Sequence, residues 1–600
     1  MTISQYLIDL LIENGVTDFF LVTGGAIIPT VDYIGERAKS GDCRYFCFQH
    51  EQSAAMAAEG YYRASGRLAC VLSTSGPGAQ NLLNGVCGCW FDSIPAIFIT
   101  GQTNEYETIN DVRPYKPRQV GFQECPVVDV FKPFTKYCAQ LSEDNYIEHI
   151  TLAFNEVITP RMGPILFDIP VNVQNSLAKD TRELRIKNVS RQKVHDHTVI
   201  SHLQHINSRC GGIKKPLVLI GNGARDHVSL ENIKQFIELN KFPFVVSWGG
   251  FDLIEHNHPL FVGHIGVYGK REANFALQNC DALFVFGSRL DTRQTGGKLK
   301  SFAPQAKKIV FDVDENEVFK RPELGTTINY IIDDLKYSTE YVKNFNYNIE
   351  QDQKWLKLIQ GWKAAPHGYE KAKKAMSSYE ILDCFFDNLP ENALVIPDQG
   401  GNLVWTMQSA KLKKGQNLFS NFGNSSMGYA LPAAIGAYLS GRKGPIYVID
   451  GDGGFQMNIQ ELQTIKHYNI PVKIIILNNR SYGIIKQFQD TFFGSRYIAT
   501  DQGDYSSPNF CEIANSYGIY SCEVTRSNYR QKIKDMDQTR VCPELYDFAI
   551  DKGQKLEPKL EFGNSLENMS PYWPKEKIKK NMMREPEPAN IPKGWVNLKN

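Results

Sequence analysis

Short apolar, β-branched runs that break into Gly, Ser or Asp and then give way to a helical pattern recur along this chain. This recurrence restricts the fold more than any other feature. The runs include LACVLSTSGPG (68–78) and AIFITGQ (96–102), then PLVLIGNGA (216–224), ALFVFGSRLD (282–291) and KIVFDVDE (308–315), and finally PIYVIDGDGG (445–454) and VKIIILNN (472–479). A strand that is apolar at nearly every position is buried on both faces, as in a parallel sheet covered by helices. At 600 residues the chain is too long for one core. The pattern predicts an α/β protein of three doubly wound parallel-sheet domains, over 1–185, 190–345 and 375–550, with polar linkers at 179–195 and 346–376. Residues 551–600 have no regular period and contain Pro558, Pro571, Pro574, Pro586, Pro588 and Pro592. They read as an irregular tail laid over the surface.

Composition narrows the class of function. Lys+Arg (66) and Asp+Glu (65) nearly cancel, so no net field draws the chain to nucleic acid or to an anionic membrane. The opening MTISQYLIDLLIENGVTDFF has acidic residues and no basic run, the pattern of an amphipathic helix rather than a signal peptide. No apolar run reaches the roughly 18 residues of a membrane span. Thirteen cysteines without a framework suit free thiols in a reducing cytosol, so a cytoplasmic location is expected. Cys87 and Cys89 lie close together, but NGVCGCWFDS supplies no second pair at zinc spacing, and they read as small buried apolar residues.

The most informative stretch is Asp450-Gly451-Asp452-Gly453-Gly454, placed where an apolar strand ends. A helix-then-strand pattern follows and ends in Asn478-Asn479, with Asn479 twenty-seven positions after Asp452. Two adjacent parallel strands would then deliver Asp452 and Asn479 side by side at their carboxyl ends. A carboxylate, an amide oxygen and a nearby carbonyl suit Mg²⁺, which prefers hard oxygen ligands and leaves positions for phosphate oxygens. The glycines let backbone N–H groups approach a diphosphate at a helix N-terminus. Gly-Asp-Gly alone ends many strands for steric reasons; the asparagine pair at this spacing makes it a site.

On these residues, GDGGFQMNIQELQTIKHYNIPVKIIILNN (451–479) resembles the diphosphate-binding motif of thiamine-diphosphate enzymes, and the branch it resembles is acetohydroxyacid (acetolactate) synthase. The resemblance runs from Gln5 to about Pro574. It implies that Asp452, Asn479 and the Ser481 carbonyl hold the metal, with Gly451, Gly453, Gly454, Tyr482, Gly483 and Ile484 around the diphosphate. HEQSAAMAAEGYYRASG (50–66) and TSGPGAQN (74–81) resemble the pyrimidine-binding half, which contains Glu51, Pro77 and Asn81. There Glu51 would hydrogen-bond the pyrimidine ring and so activate the cofactor; from the residues alone, it is a favourable charge on a helix dipole. In NSSMGYALPAAIG (424–436), Met427 falls on the bulky residue that bends the cofactor, and Ser425 on the carbonyl that meets its amino group. Gly400, Gly401 and Asn402 fall on a turn that touches the diphosphate. VGFQECPVVD (120–129) resembles the loop that carries a Phe-Gln pair, here Phe122 and Gln123, into the active site. TGGAIIP (23–29) resembles the turn whose glycines, here Gly24 and Gly25, face the reacting carbon.

The middle domain resembles the flavin-binding domain of the same synthases. Gly221, Asn222, Gly223, Tyr268 and Arg289 fall where that family touches FAD. FAD stays open at this point, because relatives keep the domain as a non-binding relic and Gly-Asn-Gly is also a plain turn. Arg293 falls on the arginine that meets the second substrate's carboxylate, for which a guanidinium is well shaped. Three pocket positions depart from the family. Its lysine is Val171 here, its methionine is Val267, and its acceptor-selecting tryptophan is Phe488. These changes predict a less cationic entrance and put the acceptor in doubt. LEPKLEFGNSLENMSPYWP (556–574) resembles a segment of synthase-like enzymes among surface-polysaccharide and nucleotide-sugar functions. By that resemblance the tail is an arm that orders over the active site when substrate arrives.

The implied function is decarboxylation of a 2-oxo acid, pyruvate by default, with transfer of the acyl-anion equivalent to a second carbonyl, using thiamine diphosphate and Mg²⁺. The acceptor need not be a standard keto acid, and a sugar-pathway carbonyl is one option. The alternative is a non-carboligating 2-oxo-acid decarboxylase or another thiamine-dependent lyase. The expected partners are small molecules and further copies of the chain, as a homodimer or homotetramer, because the family site lies between the first domain of one chain and the third of another. No nucleic-acid or membrane partner is expected.

Overall fold

The computed structural model describes residues 1–109, 114–187, 196–209, 211–324, 328–344, 352–364, 376–501, 503–536 and 541–591. Parts of the expected linkers (188–195, 346–351 and 365–375) and Pro592 lie outside the described residues. The apolar runs form three six-stranded sheets. The first holds β1 (Asp18–Leu21), β2 (Arg44–Cys47), β3 (Cys70–Ser73), β4 (Ile97–Gln102), β5 (Tyr137–Gln140) and β6 (Ile165–Pro170). The second holds β7 (Pro216–Ile220), β8 (Phe244–Val246), β9 (Phe261–His264), β10 (Ala282–Phe286), β11 (Lys307–Asp312) and β12 (Ile328–Ile332). The third holds β13 (Leu394–Pro397), β14 (Asn417–Leu418), β15 (Ile446–Gly451), β16 (Val472–Asn478), β17 (Tyr520–Val524) and β18 (Glu544–Ala549). Every pairing within these sheets is parallel. β4, β6 and β10 are buried at every position, which is why their sequences do not alternate.

In every sheet the strand order reverses beside the first strand, and the first and third sheets turn back again at their far edge, where β6 and β18 insert inside β5 and β17. The orders are β2-β1-β3-β4-β6-β5, β12-β11-β10-β7-β8-β9 and β14-β13-β15-β16-β18-β17. The chain leaves β1, β7 and β13 toward one edge and returns on their other side as β3, β10 and β15. Such a reversal opens a crevice at the carboxyl ends of the two flanking strands, where open α/β sheets bind ligands. The fold therefore supplies three crevices before any particular side chain is considered.

The first and third domains share a buried core. Helix Glu51–Ser65 crosses helix Ala430–Leu439 through small residues, so that a side chain at Gly60 would strike the Ala433 carbonyl and one at Gly436 the Ala57 carbonyl. Beside the crossing, Asn421 Nδ2 donates to Glu59 Oε2 at 3.1 Å, and Arg63 donates to Glu59 Oε1 (2.8 Å) and Asp92 Oδ2 (2.6 Å). Burial pushes Glu59 up to about 7 despite Arg63.

Two segments carry more structure than the sequence pattern predicts. Within the second expected linker, helix Gln353–Ala364 buries Trp355, Ile359 and Trp362. The tail forms a short antiparallel ladder, Lys559–Leu560 with Met569–Ser570, and a helix, Lys575–Asn581. Its Leu560, Leu566, Met569, Ile578 and Met582 join the core of the central domain. Burial of each contributes roughly 1.5–3 kcal/mol. The prolines interrupt any sequence period, so these contacts are set by the surface beneath them. Among the described residues, no helix is long and apolar enough to cross a membrane.

Candidate active site

In the first crevice, Gly24 follows β1 and the Thr74 loop follows β3. A Cβ at Gly24 would lie 2.6 Å from Thr74 Cβ, so glycine lets the two loops meet. Gly76 (φ +57°) passes close to Gln123, whose own φ is +61°. A non-glycine residue held in the left-handed region is strained, and such strain concentrates at functional loops. Glu51 begins its helix behind His50, whose Nδ1 accepts from Gln52 N at 3.1 Å. Glu51 is only 9% exposed; Asn81 Nδ2 donates to its Oε2 at 3.0 Å, and its Oε1 faces Gly78. Pro77 starts the short helix that carries Asn81, and Gly25 starts the turn after Gly24. The structure thus gathers Gly24, Glu51, Asn81 and Gln123. Phe122 does not join them and stands 85% exposed.

In the third crevice, Gly400 follows β13 and Gly451 ends β15. Asn402 ties the two: its Nδ2 donates to Asp398 O (2.7 Å) and Ile449 O (3.2 Å), and its Oδ1 faces Gly400 and Gly451. Gly401 opens the helix Gly401–Ser409 on which Asn402 lies. A side chain at Gly453 would enter the Tyr482 ring, and one at Gly483 would meet the Asn479 amide. Asp452 begins one helical turn, Asp452–Phe455, and Asn479 follows β16. The Asn479 amide group lies 3.0 Å from Asp452 Oδ1 and 2.7 Å from Ser481 O, and with its nitrogen toward them it donates to both. A carboxylate, an amide and a backbone carbonyl side by side can also offer Mg²⁺ the hard oxygen ligands it prefers. The donor set therefore fits Mg²⁺. Among the described residues, no group of three His, Cys, Asp or Glu offers another metal site. Ser425 (φ +61°) donates from its Oγ to Gln399 Oε1 at 2.8 Å, leaving Met427 half-buried beside Gly428. Ile484 packs partly buried on the adjacent core.

The second crevice opens into a cavity of about 730 Å³ lined by Asn222, Gly223, Trp248, Gly287, Ser288 and Arg289. A side chain at Gly221 would strike the Gly287 carbonyl. Trp248 stacks on Tyr268 (centroids 5.9 Å apart, 17° between planes), and the Arg293 guanidinium lies 4.9 Å from the Trp248 ring centre. Arg293 Nη1 donates to Phe422 O at 3.4 Å, and the residue lines this same cavity. Phe488 stands apart from it, packed on Phe492 (4.6 Å) and Phe562 (5.8 Å). Val171 and Val267 predict loss of positive charge at the entrance. Leu560 N donates to Val267 O at 2.7 Å, and the neighbouring Lys559 ammonium lies 5.8 Å from the Phe488 ring centre, paired with Glu561 at 3.3 Å.

Three residues near the site carry no local motif. Asp398 is fully buried after β13; its carboxylate accepts from Gly428 N (2.9 Å) and Ala430 N (3.0 Å), anchoring the loop of Met427. Burial pushes Asp398 up to about 6 and its neighbour Asp450 well above the usual carboxylate range. An acid placed directly after an apolar strand was the available signal for both. Tyr505 Oη donates to Asp452 Oδ2 at 2.8 Å, and burial pushes Asp452 up to about 6. Nothing in the sequence around Tyr505 or Lys559 points to these positions.

Family comparisons agree with this geometry. Residues 1–129 match the N-terminal TPP binding domain of thiamine pyrophosphate enzymes, 204–333 the central domain and 398–540 the C-terminal TPP binding domain. The acetolactate synthase isozyme 2 large subunit of Escherichia coli is 30% identical over 94% of this chain and 98% of its own length. The acetolactate synthase large subunit of Cyanidium caldarium is 32% identical, covering 94% of this chain and 95% of that protein. Among solved structures, the thiamine diphosphate-dependent 4-hydroxybenzoylformate decarboxylase of Rhodococcus jostii superposes with a TM-score of 0.76, at 18% identity, over 92% of this chain and 99% of that one. That likeness concerns the fold. With identities of 30% and more along nearly the whole length, this chain belongs to the thiamine pyrophosphate enzymes of the acetolactate synthase-like family, and it is a thiamine-diphosphate-dependent carboligase or decarboxylase.

Proposed function

We propose that the protein decarboxylates a 2-oxo acid, pyruvate by default, and transfers the acyl-anion equivalent to a second carbonyl. The observation that carries this reading is the oxygen cluster of Asp452, Asn479 and Ser481 at one strand reversal, matched by the buried, hydrogen-bonded Glu51 at another. Thiamine diphosphate, when bound, supplies a nucleophilic carbon and an electron sink for the decarboxylation. Asp452, Asn479 and the Ser481 carbonyl would hold Mg²⁺, and the backbone around Gly453, Gly454 and Gly483 would cradle the diphosphate. Asn402, Gly400 and Gly401 shape the same cradle from β13. Glu51, shielded from water and fixed by Asn81, holds or gives a proton at Oε1, the oxygen facing Gly78. Met427 gives the cofactor a firm apolar support, anchored through Asp398 and Ser425. Gln123 and the backbone of Gly24 and Gly25 would orient the reacting oxygen.

In this reading the two halves meet in one site between two copies of the chain, as the family resemblance implies. The hydrogen-bond partner of the Glu51 carboxylate is Asn81 of its own domain, and that of Asp452 is Tyr505 of its own. Large apolar side chains stand exposed beside each half: Ile28 (55%) and Phe122 (85%) in the first domain, Met457 (46%) and Ile485 (50%) in the third. Such surface is usually covered by a partner. A homo-oligomer with the site between chains accounts for both facts. The cavity of about 730 Å³ beside Asn222, Gly223 and Gly287 is of a size for a small-molecule cofactor, and FAD is the one that the family resemblance suggests. Bound FAD would give the purified protein absorbance in the flavin bands.

The deciding experiment supplies labelled pyruvate to the enzyme loaded with thiamine diphosphate and Mg²⁺. A hydroxy-ketone product together with CO₂ is expected. Acetaldehyde as the sole product would replace the carboligase with a simple decarboxylase, and absence of CO₂ release would overturn the proposed reaction.

A further inference from the structure

Lys559 is a lysine in an unusual place. It is 5% exposed, whereas lysine is almost never fully buried unless paired. Its ammonium has three donors, and its ionic partner among the described residues is Glu561, itself 4% exposed, at 3.3 Å. A buried ion pair of this kind gives little net stability, because the cost of removing both charges from water consumes the attraction between them. The segment that carries it is nevertheless held from three sides. Leu556 N donates to Gln487 Oε1 (2.8 Å), Gln408 Nε2 donates to Pro558 O (2.7 Å), and Leu560 N donates to Val267 O (2.7 Å). Such fixation is what a recognition group needs, since a side chain misplaced by about 1 Å loses its purpose.

Its neighbours say what it faces. Helix Gly483–Phe492 begins two residues after Ser481, and it carries both Gln487 and Phe488. At 1.5 Å per residue, Phe488 lies about 10 Å along from the oxygen cluster. The Lys559 ammonium is 5.8 Å from the Phe488 ring centre. Phe562, three residues further along the tail, is 71% exposed and packs on Phe488 and Phe492. The result is an aromatic wall, open to solvent, with one buried cation at its edge. An apolar wall can hold the body of a small molecule, and an ammonium, as a compact point charge, can hold its anion.

We propose that Lys559 is a second group, besides Arg293, that recognises the carboxylate of the acceptor, with Glu561 keeping the ammonium in position and its remaining donors free for the anion. This assignment rests on the carboligase reading above and names the charge class of its second substrate. It makes the tail a specificity-determining element rather than only a cover.

The test sets two acceptors in competition. The full-length enzyme, loaded with thiamine diphosphate and Mg²⁺, is given pyruvate as donor together with acetaldehyde as a neutral acceptor, and the ratio of acetolactate to acetoin is measured. Lys559→Met is expected to lower that ratio at least about tenfold, one ion-pair-strength interaction. Lys559→Arg, which keeps the charge, is expected to restore most of the ratio; thermal unfolding of both variants reports whether they fold. An unchanged ratio in folded Lys559→Met, or a loss of CO₂ release at constant ratio, would overturn the assignment. A wild-type enzyme that released no CO₂ from pyruvate would overturn the proposed reaction, and this assignment with it.

Discussion

Asp168, near the carboxyl end of β6, is fully buried and accepts from Thr100 Oγ1 (2.7 Å), Gln140 Nε2 (3.0 Å) and Gln102 Nε2 (3.2 Å). Burial pushes its carboxyl up to about 6 in spite of these donors. An unfolded Asp titrates near 3.9, so between about pH 4 and pH 6 the folded chain binds more protons than the unfolded one. Stability contributed by this group is therefore full below pH 4 and is lost as pH rises through 6, a change of about 3 kcal/mol. Asp168→Asn removes the titration. Relative to wild type, the variant should gain stability across that window, as read from urea unfolding at a series of pH values; parallel curves would refute it. The donors of Asp168 are not its neighbours in sequence, which is why this acid could not be read from the chain. Asp452 and Asn479 stood out because each stands at a strand end that the local pattern already marks, whereas Glu51 stood out only through the family resemblance. Lys559 depends on a surface more than two hundred residues away, at Val267, and left no local trace.

At the scale of elements, the crossing of helices Glu51–Ser65 and Ala430–Leu439 is the most demanding contact in the fold. Gly436 packs so closely on the Ala57 carbonyl that any side chain must force the helices apart. Gly436→Val should cost at least about 3 kcal/mol, the upper range for overpacking a tight core. Because the Glu51 helix is one of the two, cofactor retention should fall with it. Denaturant unfolding measures the first effect and calorimetric titration with thiamine diphosphate the second. Wild-type values of both would show that the crossing can relax. The strands of all three sheets were readable, since burial on both faces writes itself as an unbroken apolar run. The helix Gln353–Ala364 was also readable, since Trp355, Ile359 and Trp362 recur at i, i+4 and i+7, but its polar composition pointed to a linker. The tail ladder was hidden: two residues per strand are too few to form a pattern.

For the whole molecule, three reversals of strand order place three sets of glycine-lined loops where ligands bind, so the architecture alone accounts for the positions of the crevices. How the domains meet is a property of their surfaces and was not in the strand pattern. If the site lies between copies, defects in its two halves should complement each other. Glu51→Gln and Asp452→Ala are each expected to be inactive alone. Refolded or exchanged as a mixture, they should regain about a quarter of wild-type activity, because half the dimers are mixed and each has one intact site. No recovery in a mixture shown to exchange subunits would place both halves within one chain.

The pins on Leu556, Pro558 and Leu560 have a consequence in time. Domains emerge from the ribosome in order and fold as units. The loops that carry Glu51 and then Asp452 can be in place while the segment bearing Lys559 is still being made. The wall beside Phe488 is thus the last part of the site to be assembled, and the surfaces that receive it must wait open until it arrives. A nascent chain at that stage would have a scaffold for the cofactor and no means of choosing an acceptor.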